Sequence, residues 1–138
     1  MIVEEGGIYM ALDKSLVSGS TTMLILKLLS EKDMYGYEMI ETLQSRSQNV
    51  FELKAGTLYP LLHTLEQNDL LTVYEKEVSG KTRKYYHITK KGRKAFQEKR
   101  EEWKLYTEAV ANVLNAGKDI LDGNINHTAG KTRGEMFA

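Results

Sequence analysis

The chain has 138 residues, of which 41% are hydrophobic and 28% are charged, values typical of one globular domain. It contains no cysteine, which excludes disulfide bonds, cysteine nucleophiles and zinc sites built on cysteine. No apolar run reaches the roughly 18 residues of a membrane span, and acidic residues stand where a signal peptide would be basic, so we expect a cytoplasmic protein.

The 19 basic and 19 acidic residues cancel overall, but they are unevenly distributed along the chain. Residues 54–94 carry nine basic and four acidic side chains, whereas residues 1–53 carry four basic and eight acidic ones. A neutral protein with one concentrated basic zone has a polarised surface that can face the phosphates of a nucleic acid. A solvated charged face would give the same pattern, so the charge distribution leaves both interpretations open.

The first 50 residues predict a short extension and two helices. Residues 1–12 show no hydrophobic period and are expected to form a flexible extension. The dense apolar residues of the segment 13–30 predict a helix that is buried on more than one side. Asp33 is a suitable N-cap for a second helix, from residue 34 to about residue 46. Gly36 is a poor helix former in the first turn of that helix, and the close approach of another helix would explain it.

The third predicted helix, residues 55–68, has a clear amphipathic pattern. Four leucines at helical spacing form its apolar stripe, namely Leu58, Leu61, Leu62 and Leu65. The opposite face carries small, hydroxyl and aromatic groups, among them Thr57, Tyr59, Pro60 and His63. Pro60 is the only proline of the chain and has no N–H to donate, so it must lie near the first turn or bend the helix.

A β-hairpin is expected next. The segments 71–78 and 84–88 are rich in β-branched and aromatic residues, which predicts two strands, and the glycine-containing segment 79–83 forms a basic connection between them. Tyr86 shares a strand face with Ile88 and is expected in the core, whereas Tyr85 is expected to point outward.

The last predicted helix covers residues 90–115, with Thr89 as its N-cap. Four cations crowd its first turns, where the helix dipole disfavours positive charge, and they are Lys90, Lys91, Arg93 and Lys94. Phosphates bound just beyond the hairpin would explain this arrangement, although such cations can also serve only to keep the surface soluble. Residues 116–138 hold few apolar groups and are expected to form a loose tail.

An apolar stripe along this helix predicts a dimer interface. Phe96, Trp103 and Val110 repeat every seven residues, and Tyr106 and Val113 follow in the offset register. Such a stripe on a lone helix would be exposed to water without a partner. We therefore expect two copies of the chain to pair through these five residues.

Three helices, a hairpin and a further helix give the order of a winged helix-turn-helix, an α+β fold that is mainly helical. In this interpretation residues 13–89 form a DNA-binding domain and residues 90–115 form a dimerisation helix. The polar face of the third helix would enter the major groove, while the basic hairpin, or wing, would meet the backbone or an adjacent minor groove.

Four segments in this order and spacing resemble the PadR family of bacterial transcriptional regulators, which are mostly repressors. They are residues 34–38 (MYGYE), 56–62 (GTLYPLL), 65–66 (LE) and 83–89 (RKYYHIT). The resemblance covers about residues 15–114, and the single C-terminal helix looks like the short subfamily. It implies dimerisation through the last helix with help from the partner's first helix, binding to an inverted repeat in a promoter, and release by a small molecule.

The resemblance also indicates which residues contact DNA. Thr57, Tyr59 and Pro60 match the recognition-helix motif of the family, and Tyr37 resembles a tyrosine near the DNA backbone. Together with the exposed histidine and the basic groups around them, the expected DNA contacts are Tyr37, Lys54, Thr57, Tyr59, Pro60, His63, Lys81, Arg83 and Lys84.

Trp103, the only tryptophan, has two interpretations. It can fill the dimer core, or it can flank a flat apolar effector together with its mate from the partner chain. The resemblance implies the second role as well, because a multidrug-sensing relative has a tryptophan at the matching helix position. A small aromatic effector is therefore a possible partner besides DNA.

No pattern in the sequence predicts an enzyme, a metal site or a cofactor. The three histidines, at positions 63, 87 and 127, lack the spacing of metal ligands, and no phosphate-binding or dinucleotide motif occurs. The alternative to a DNA-binding regulator is a winged helix used only for protein–protein interaction. That alternative would keep the core pattern but would not need a basic wing.

Overall fold

The computed structural model describes the backbone of residues 14–122 and the side chains of residues 19–117. The elements in chain order are α1 (Lys14–Glu31), β1 (Met34–Tyr35), α2 (Gly36–Arg46), α3 (Ala55–Gln67), β2 (Leu71–Val78), β3 (Lys81–Ile88) and α4 (Lys90–Asp122). The chain divides into two compact units between Arg100 and Glu101. The predicted extension, residues 1–12, lies outside the described residues, as does the predicted tail from residue 123 onward.

α1 is the central helix of the first unit. Its buried residues include Ile25, Leu26, Leu28 and Leu29. Four buried residues within five positions cannot share one stripe of a helix, so α1 is covered on more than one side, as predicted. At its C-terminal end Arg46 of α2 donates two hydrogen bonds to the Glu31 carboxylate, which, with help from Lys27, holds the pKa of Glu31 at about 2. In the described part of the chain, no helix is long and apolar enough to cross a membrane.

α2 and α3 form the helix-turn-helix. Leu58, Leu62 and Leu65 of α3 are buried against the core, which confirms the predicted apolar stripe. Gly36, the first residue of α2, lies directly under the ring of Tyr59 of α3, where a Cβ atom would collide with the ring and its hydroxyl. The predicted reason for this glycine, close approach of another helix, is confirmed.

The predicted start of α2 was wrong. Met34 and Tyr35 form the short strand β1, which pairs with Tyr86 and Tyr85 of β3, and the helix begins only at Gly36. The N-cap is Tyr35, which makes no side-chain cap hydrogen bond. Asp33 does not cap the helix, because its carboxylate bonds to side chains of β2 and β3 instead. A two-residue strand is too short to show a period in the sequence, and its partner lies 50 residues away.

β2 and β3 pair antiparallel along their whole length, from Leu71 opposite Ile88 to Val78 opposite Lys81. The connection between them is the two-residue turn Ser79–Gly80, in which both residues have positive φ, 52° and 80°. This is the geometry of the tight hairpin turn that matches strand twist. The predicted five-residue connection was too long, because residues 81–83 already belong to β3.

The sheet, with strand order β1–β3–β2, has two chemically different faces. Residues directly opposite each other in an antiparallel pair share a face. The inner face packs on the core and carries Met34, Leu71, Val73, Tyr86 and Ile88. The outer face carries Tyr35, Tyr74, Arg83, Tyr85 and His87. The core position predicted for Tyr86 is confirmed, and Tyr85 lies on the outer face as expected.

α4 begins where the sequence predicts and is anchored at the base of the hairpin. The Gly92 amide donates to the Thr89 hydroxyl oxygen at 2.9 Å, which confirms Thr89 as the N-cap. The Thr89 hydroxyl in turn donates to the carbonyl of Asp69 at 2.8 Å, which fixes α4 to the turn between α3 and β2. The helix continues to Asp122, beyond the predicted end near residue 115. The winged helix-turn-helix with a long C-terminal helix is therefore confirmed.

Candidate nucleic-acid interface

The free face of α3 offers polar and aromatic groups to solvent. Its apolar stripe is turned into the core, and the exposed residues of the helix are Ala55, Gly56, Thr57, Tyr59, Pro60, His63, Thr64, Glu66 and Gln67. Lys54, the N-cap residue of α3, is exposed as well. All the residues of this helix that the sequence predicts as DNA contacts are thus accessible, and hydroxyl, imidazole and amide groups are able to hydrogen-bond base edges.

Pro60 lies inside α3, at the sixth position of the helix rather than in its first turn. α3 continues through it to Gln67 as one helix. Because proline has no N–H, Pro60 cannot donate to the carbonyl of Gly56, four residues earlier. Gly56 is itself exposed, so the start of α3 on this side is open to solvent.

The first turn of α2 lies beside the same face. Gly36 allows the ring of Tyr59 to pack directly on the α2 backbone, while Tyr59 keeps 45% of its surface exposed. Tyr37, the next residue of α2, is 58% exposed. The helix start and the exposed face of α3 therefore form one continuous surface with two tyrosines on it.

The wing holds fewer free cations than the sequence predicts. Lys81 follows the turn directly and Lys84 stands opposite Glu75, and both lysines are exposed. Arg83 is only half exposed, and its guanidinium lies over the ring of Tyr35, 4.2 Å from the ring centre. Its Nε atom is buried without a hydrogen-bond partner among the described residues. The predicted basic tip is thus reduced to Lys81, because β3 begins earlier than expected and turns Arg83 onto the outer face.

The four cations at the start of α4 lie at the base of the hairpin and not beyond its tip. The eight residues of β3 separate them from the turn, a length of about 26 Å at the usual strand rise. Arg93 has a structural partner, since it donates to the carbonyl of Ser30 near the end of α1 at 3.3 Å. A cation is favourable at the C-terminal end of a helix, and Arg93 lies at that end of α1. The position of Arg93 is therefore explained without a bound phosphate.

A polar network that the sequence did not indicate covers the outer face of the sheet. The Asp33 carboxylate accepts a hydrogen bond from the Tyr74 hydroxyl at 2.7 Å, and it pairs with Nδ1 of His87 at 2.8 Å. The hydrogen bond to Asp33 raises the pKa of the Tyr74 hydroxyl to about 12. Burial raises the pKa of Asp33, but the hydrogen bonds from Tyr74 and His87 outweigh burial and lower it. Only the strand register, which places Thr72 and Tyr74 opposite His87 and Tyr85, could have indicated this network.

The second unit exposes the predicted apolar stripe of α4. Trp103, Tyr106 and Val113 are 37%, 61% and 78% exposed, and the rings of Trp103 and Tyr106 lie 6.0 Å apart. Val110 is also exposed. Phe96 differs from these four residues, because it is buried in the core of the first unit. Phe96 therefore stabilises its own chain and is not part of the free stripe.

No group of three or more His, Asp or Glu side chains that could hold a metal ion occurs within the described part of the chain. His63 lies on the exposed face of α3 and His87 on the outer face of the sheet, while the third histidine lies outside the described residues. The chemistry that these surfaces offer is hydrogen bonding and charge.

Comparison with known proteins agrees with this geometry. The model of the transcriptional regulator PadR-like family matches residues 25–98. An uncharacterised protein X of Lysinibacillus sphaericus is 36% identical over 96 residues, which cover 69% of this chain and 88% of that protein. The transcriptional regulator YqjI of Escherichia coli is 32% identical over 92 residues, which cover 67% of this chain and 43% of YqjI.

Solved structures give the same result. A transcriptional regulator from Clostridium thermocellum superposes with a TM-score of 0.68 at 33% identity, covering 72% of this chain and 97% of that one. The family match spans the end of α1, the helix-turn-helix, the wing and the start of α4. The chain therefore belongs to the PadR-like family, whose members are DNA-binding transcriptional regulators and not enzymes.

Proposed function

We propose that the chain is a homodimeric repressor that binds an inverted repeat in a promoter and leaves it when a small molecule binds. The observation that carries the proposal is the continuous surface formed by the exposed face of α3 and the first turn of α2. In this proposal residues 13–89 bind DNA, and the helix at residues 90–115 joins the two copies.

The contacts follow from the chemistry of that surface. Thr57 and His63 carry groups able to hydrogen-bond base edges in the major groove. Tyr37, Tyr59 and Lys54, which stand around the helix start, are suited to phosphate oxygens. Pro60 is exposed on the same side of α3 and is part of this contact surface. Lys81 and Lys84 of the wing would then reach the backbone of the adjacent groove, with Lys81 nearest the turn.

The apolar stripe of α4 supports a dimer. Exposed side chains of this size, repeated along one side of a helix, need a partner surface. In a two-fold dimer that pairs through Trp103, Tyr106, Val110 and Val113, the two copies of α3 would have to lie about one DNA turn apart, roughly 34 Å, to enter successive major grooves. An inverted repeat with that spacing is the expected operator.

Trp103 also supports a ligand-responsive repressor. Its ring is partly exposed beside Tyr106, and in a two-fold dimer Trp103 and its mate would be able to stack on a flat aromatic molecule. We expect planar aromatic cations or phenolic acids to quench Trp103 emission and to release DNA. Unchanged emission across a broad panel of such compounds would refute the ligand site while leaving DNA binding intact.

The test is a gel shift and a footprint on the DNA upstream of the protein's own gene, at several salt concentrations. We expect a protected inverted repeat and an affinity that falls steeply with salt, because each phosphate contact releases counterions. In the rival role, a winged helix that binds only proteins, no protection would occur even at low salt. Tyr59→Ala should weaken DNA binding and leave the dimer intact, as a sedimentation experiment would measure.

A further inference from the structure

The outer face of the sheet joins the wing to the start of α2. Arg83 of β3 places its guanidinium over the ring of Tyr35, 4.2 Å from the ring centre. Tyr35 also meets Tyr85 edge to face at 5.5 Å, and Tyr85 stacks on Tyr74 at 5.7 Å. These contacts run across all three strands, from β1 through β3 to β2.

The geometry of Arg83 does not suit a contact with phosphate. Its Nε atom is buried, so of the two edges that an arginine can offer to a pair of phosphate oxygens, the Nε–Nη edge is not available. Lys81 and Lys84, its neighbours in the same strand, are exposed and carry the same charge. A buried donor without a partner is unfavourable, and the attraction between the cation and the Tyr35 ring compensates part of its cost.

Tyr35 links the wing to the helix that reads DNA. It is the N-cap residue of α2, and it is followed directly by Gly36, on which the ring of Tyr59 packs. Contacts therefore follow one another without a gap from Arg83 in the wing, through Tyr35 and Gly36, to Tyr59 on the exposed face of α3. Each member is fixed by packing against the next.

A second tie holds the other end of the outer face. Asp33, which directly precedes β1, reaches over β3 to bond both His87 and the Tyr74 hydroxyl. Other charged groups around it are Arg93 of α4, which acts on Asp33 through space, and Lys32, which pairs with Glu38 of α2 at 2.8 Å. The wing is thus fastened to the chain before α2 at two separate points.

We propose that Arg83 is a positioning residue, which fixes the wing relative to α3 by stacking on Tyr35, and that it does not contact DNA phosphate. The proposal rests on the proposed function, because it concerns how two DNA-binding elements are held at one spacing. A wing that is ordered before binding reaches its groove without a further entropic cost. The Asp33 network supports the same arrangement from the far end.

The experiment separates charge from stacking. Arg83→Lys keeps the positive charge but replaces the planar guanidinium, so we expect affinity for the protected upstream duplex to fall about tenfold with an unchanged salt dependence. The matched control, Lys81→Gln, removes an exposed charge of the same strand and should lower the slope of log K against log salt by about 1. Wild-type affinity for Arg83→Lys, with a slope lowered by about 1 in Arg83→Gln, would overturn the proposal.

Variants of Tyr35, the residue on which Arg83 stacks, complete a double-mutant cycle. Tyr35→Ala should weaken binding as much as Arg83→Lys, and the double variant should be no weaker than either, because both remove one interaction. Tyr35→Phe keeps the ring and should bind like the wild type. Additive losses would overturn the proposal, since they would mean that the two residues act on DNA separately.

Hydrogen exchange tests the same inference without DNA. In Arg83→Lys and Tyr35→Ala, amides of β2 and β3 near the turn should exchange faster, while those of α1 should not change. Unchanged exchange in the wing would overturn the positioning role even if DNA binding is normal. Conversely, a wild-type protein that binds no DNA would refute the proposed function, while faster exchange in these variants would still support the tie between Arg83 and Tyr35.

Discussion

α1 and α4 are both long helices with many apolar residues, but they differ in how far those residues are buried. In α1 the apolar side chains lie on several sides, and Ile25 and Leu26 are completely buried by the rest of the first unit. In α4, beyond Arg100, most of the large apolar side chains lie along one side and remain exposed, among them Trp103 and Val113. The apolar residues of α1 are buried within the first unit, whereas the described residues leave the apolar surface of α4 uncovered.

This difference implies that the stability of each unit depends on protein concentration in a different way. The stability of the first unit depends on packing within one molecule, so it should not change with protein concentration. In the proposed dimer the apolar stripe of α4 is buried by a second copy, so that part of the stability should rise with concentration. The predictions below disturb one region at a time.

The largest effect is expected at Gly92, which is buried near the start of α4. A Cβ atom there would collide with the backbone carbonyl of Leu70 and with the side chain of Ile88, and neither can move without opening the core. Gly92→Ala should lower the free energy of unfolding by about 3 kcal/mol or more. Urea denaturation would measure this loss in the free energy of unfolding. In the control, Gly19→Ala, no atom lies within 4 Å of the added carbon, so equal midpoints for both variants would contradict the prediction.

The second effect breaks the α4 surface and leaves the first unit folded. Val110→Glu places a charge in the apolar stripe, and we expect the dimer dissociation constant to rise by about 100-fold. Analytical ultracentrifugation over a range of concentrations would measure the shift. Leu105→Glu is the matched control, because Leu105 is similarly exposed, 46% against 38% for Val110, but lies about 140° around the helix from Val110. A dimer that tolerates both changes equally would show that the stripe is not the interface.

A smaller effect is expected where α2 meets α3. Gly36→Ala pushes the ring of Tyr59 away from the α2 backbone, but Tyr59 is partly exposed and has room to swing aside. We therefore expect little loss of stability and a loss of DNA affinity of about tenfold, measured by fluorescence anisotropy with a labelled operator duplex. Unchanged affinity would mean that the position of Tyr59 does not matter for binding.

The smallest effect concerns the acid limb of the stability curve. Because the pKa of Asp33 is lower in the folded chain, this carboxylate stabilises the fold above its unfolded pKa of about 3.9 and stops doing so as the pH falls through the lower folded value. Asp33→Asn should lower the melting temperature by a few degrees at pH 7, and the difference should shrink below about pH 4.

The opposite sign applies to Tyr74, whose pKa is raised to about 12. Its bond to Asp33 favours the protonated phenol, so the stabilisation is present below about pH 10 and is lost as the pH rises toward 12. Ultraviolet titration should show one tyrosine of high pKa in the wild type that is absent from Asp33→Asn. A difference in melting temperature between Asp33→Asn and the wild type that stays constant from pH 3 to pH 7 would contradict the role given to Asp33.

Much of the fold could be predicted because its signals are local. The leucine stripe of α3 repeats within a few turns, the Thr89 cap acts within three residues, and the alternation that places Tyr86 and Ile88 in the core lies within one strand. Each of these depends on residues near one another in the sequence. Gly36 belongs to the same group, since a glycine in a first turn indicates a close neighbour even when the neighbour, Tyr59, is unknown.

The differences between these predictions and the structure share a long-range cause. Asp33 has the sequence position of a cap, but its partners, Tyr74 and His87, are 41 and 54 residues away. Arg83 has the composition of a free wing cation, but pairing with β2 turns it toward Tyr35. Phe96 continues the seven-residue repeat, yet the first unit still surrounds it at that point of α4. In each case the sequence shows the chemical character of the side chain, but a contact with a residue distant in the sequence determines the role of that side chain.

The two-residue turn Ser79–Gly80 has a consequence for how this wing is able to change in evolution. Side chains alternate between the two faces of the hairpin, so an insertion of one residue in β3 would exchange the places of Arg83 and Lys84. The lysine would then face Tyr35, and the arginine would point away from it. Homologous wings that preserve this tie should therefore differ in length by pairs of residues, lengthening both strands together, and odd-numbered insertions should occur only with a bulge that restores the alternation.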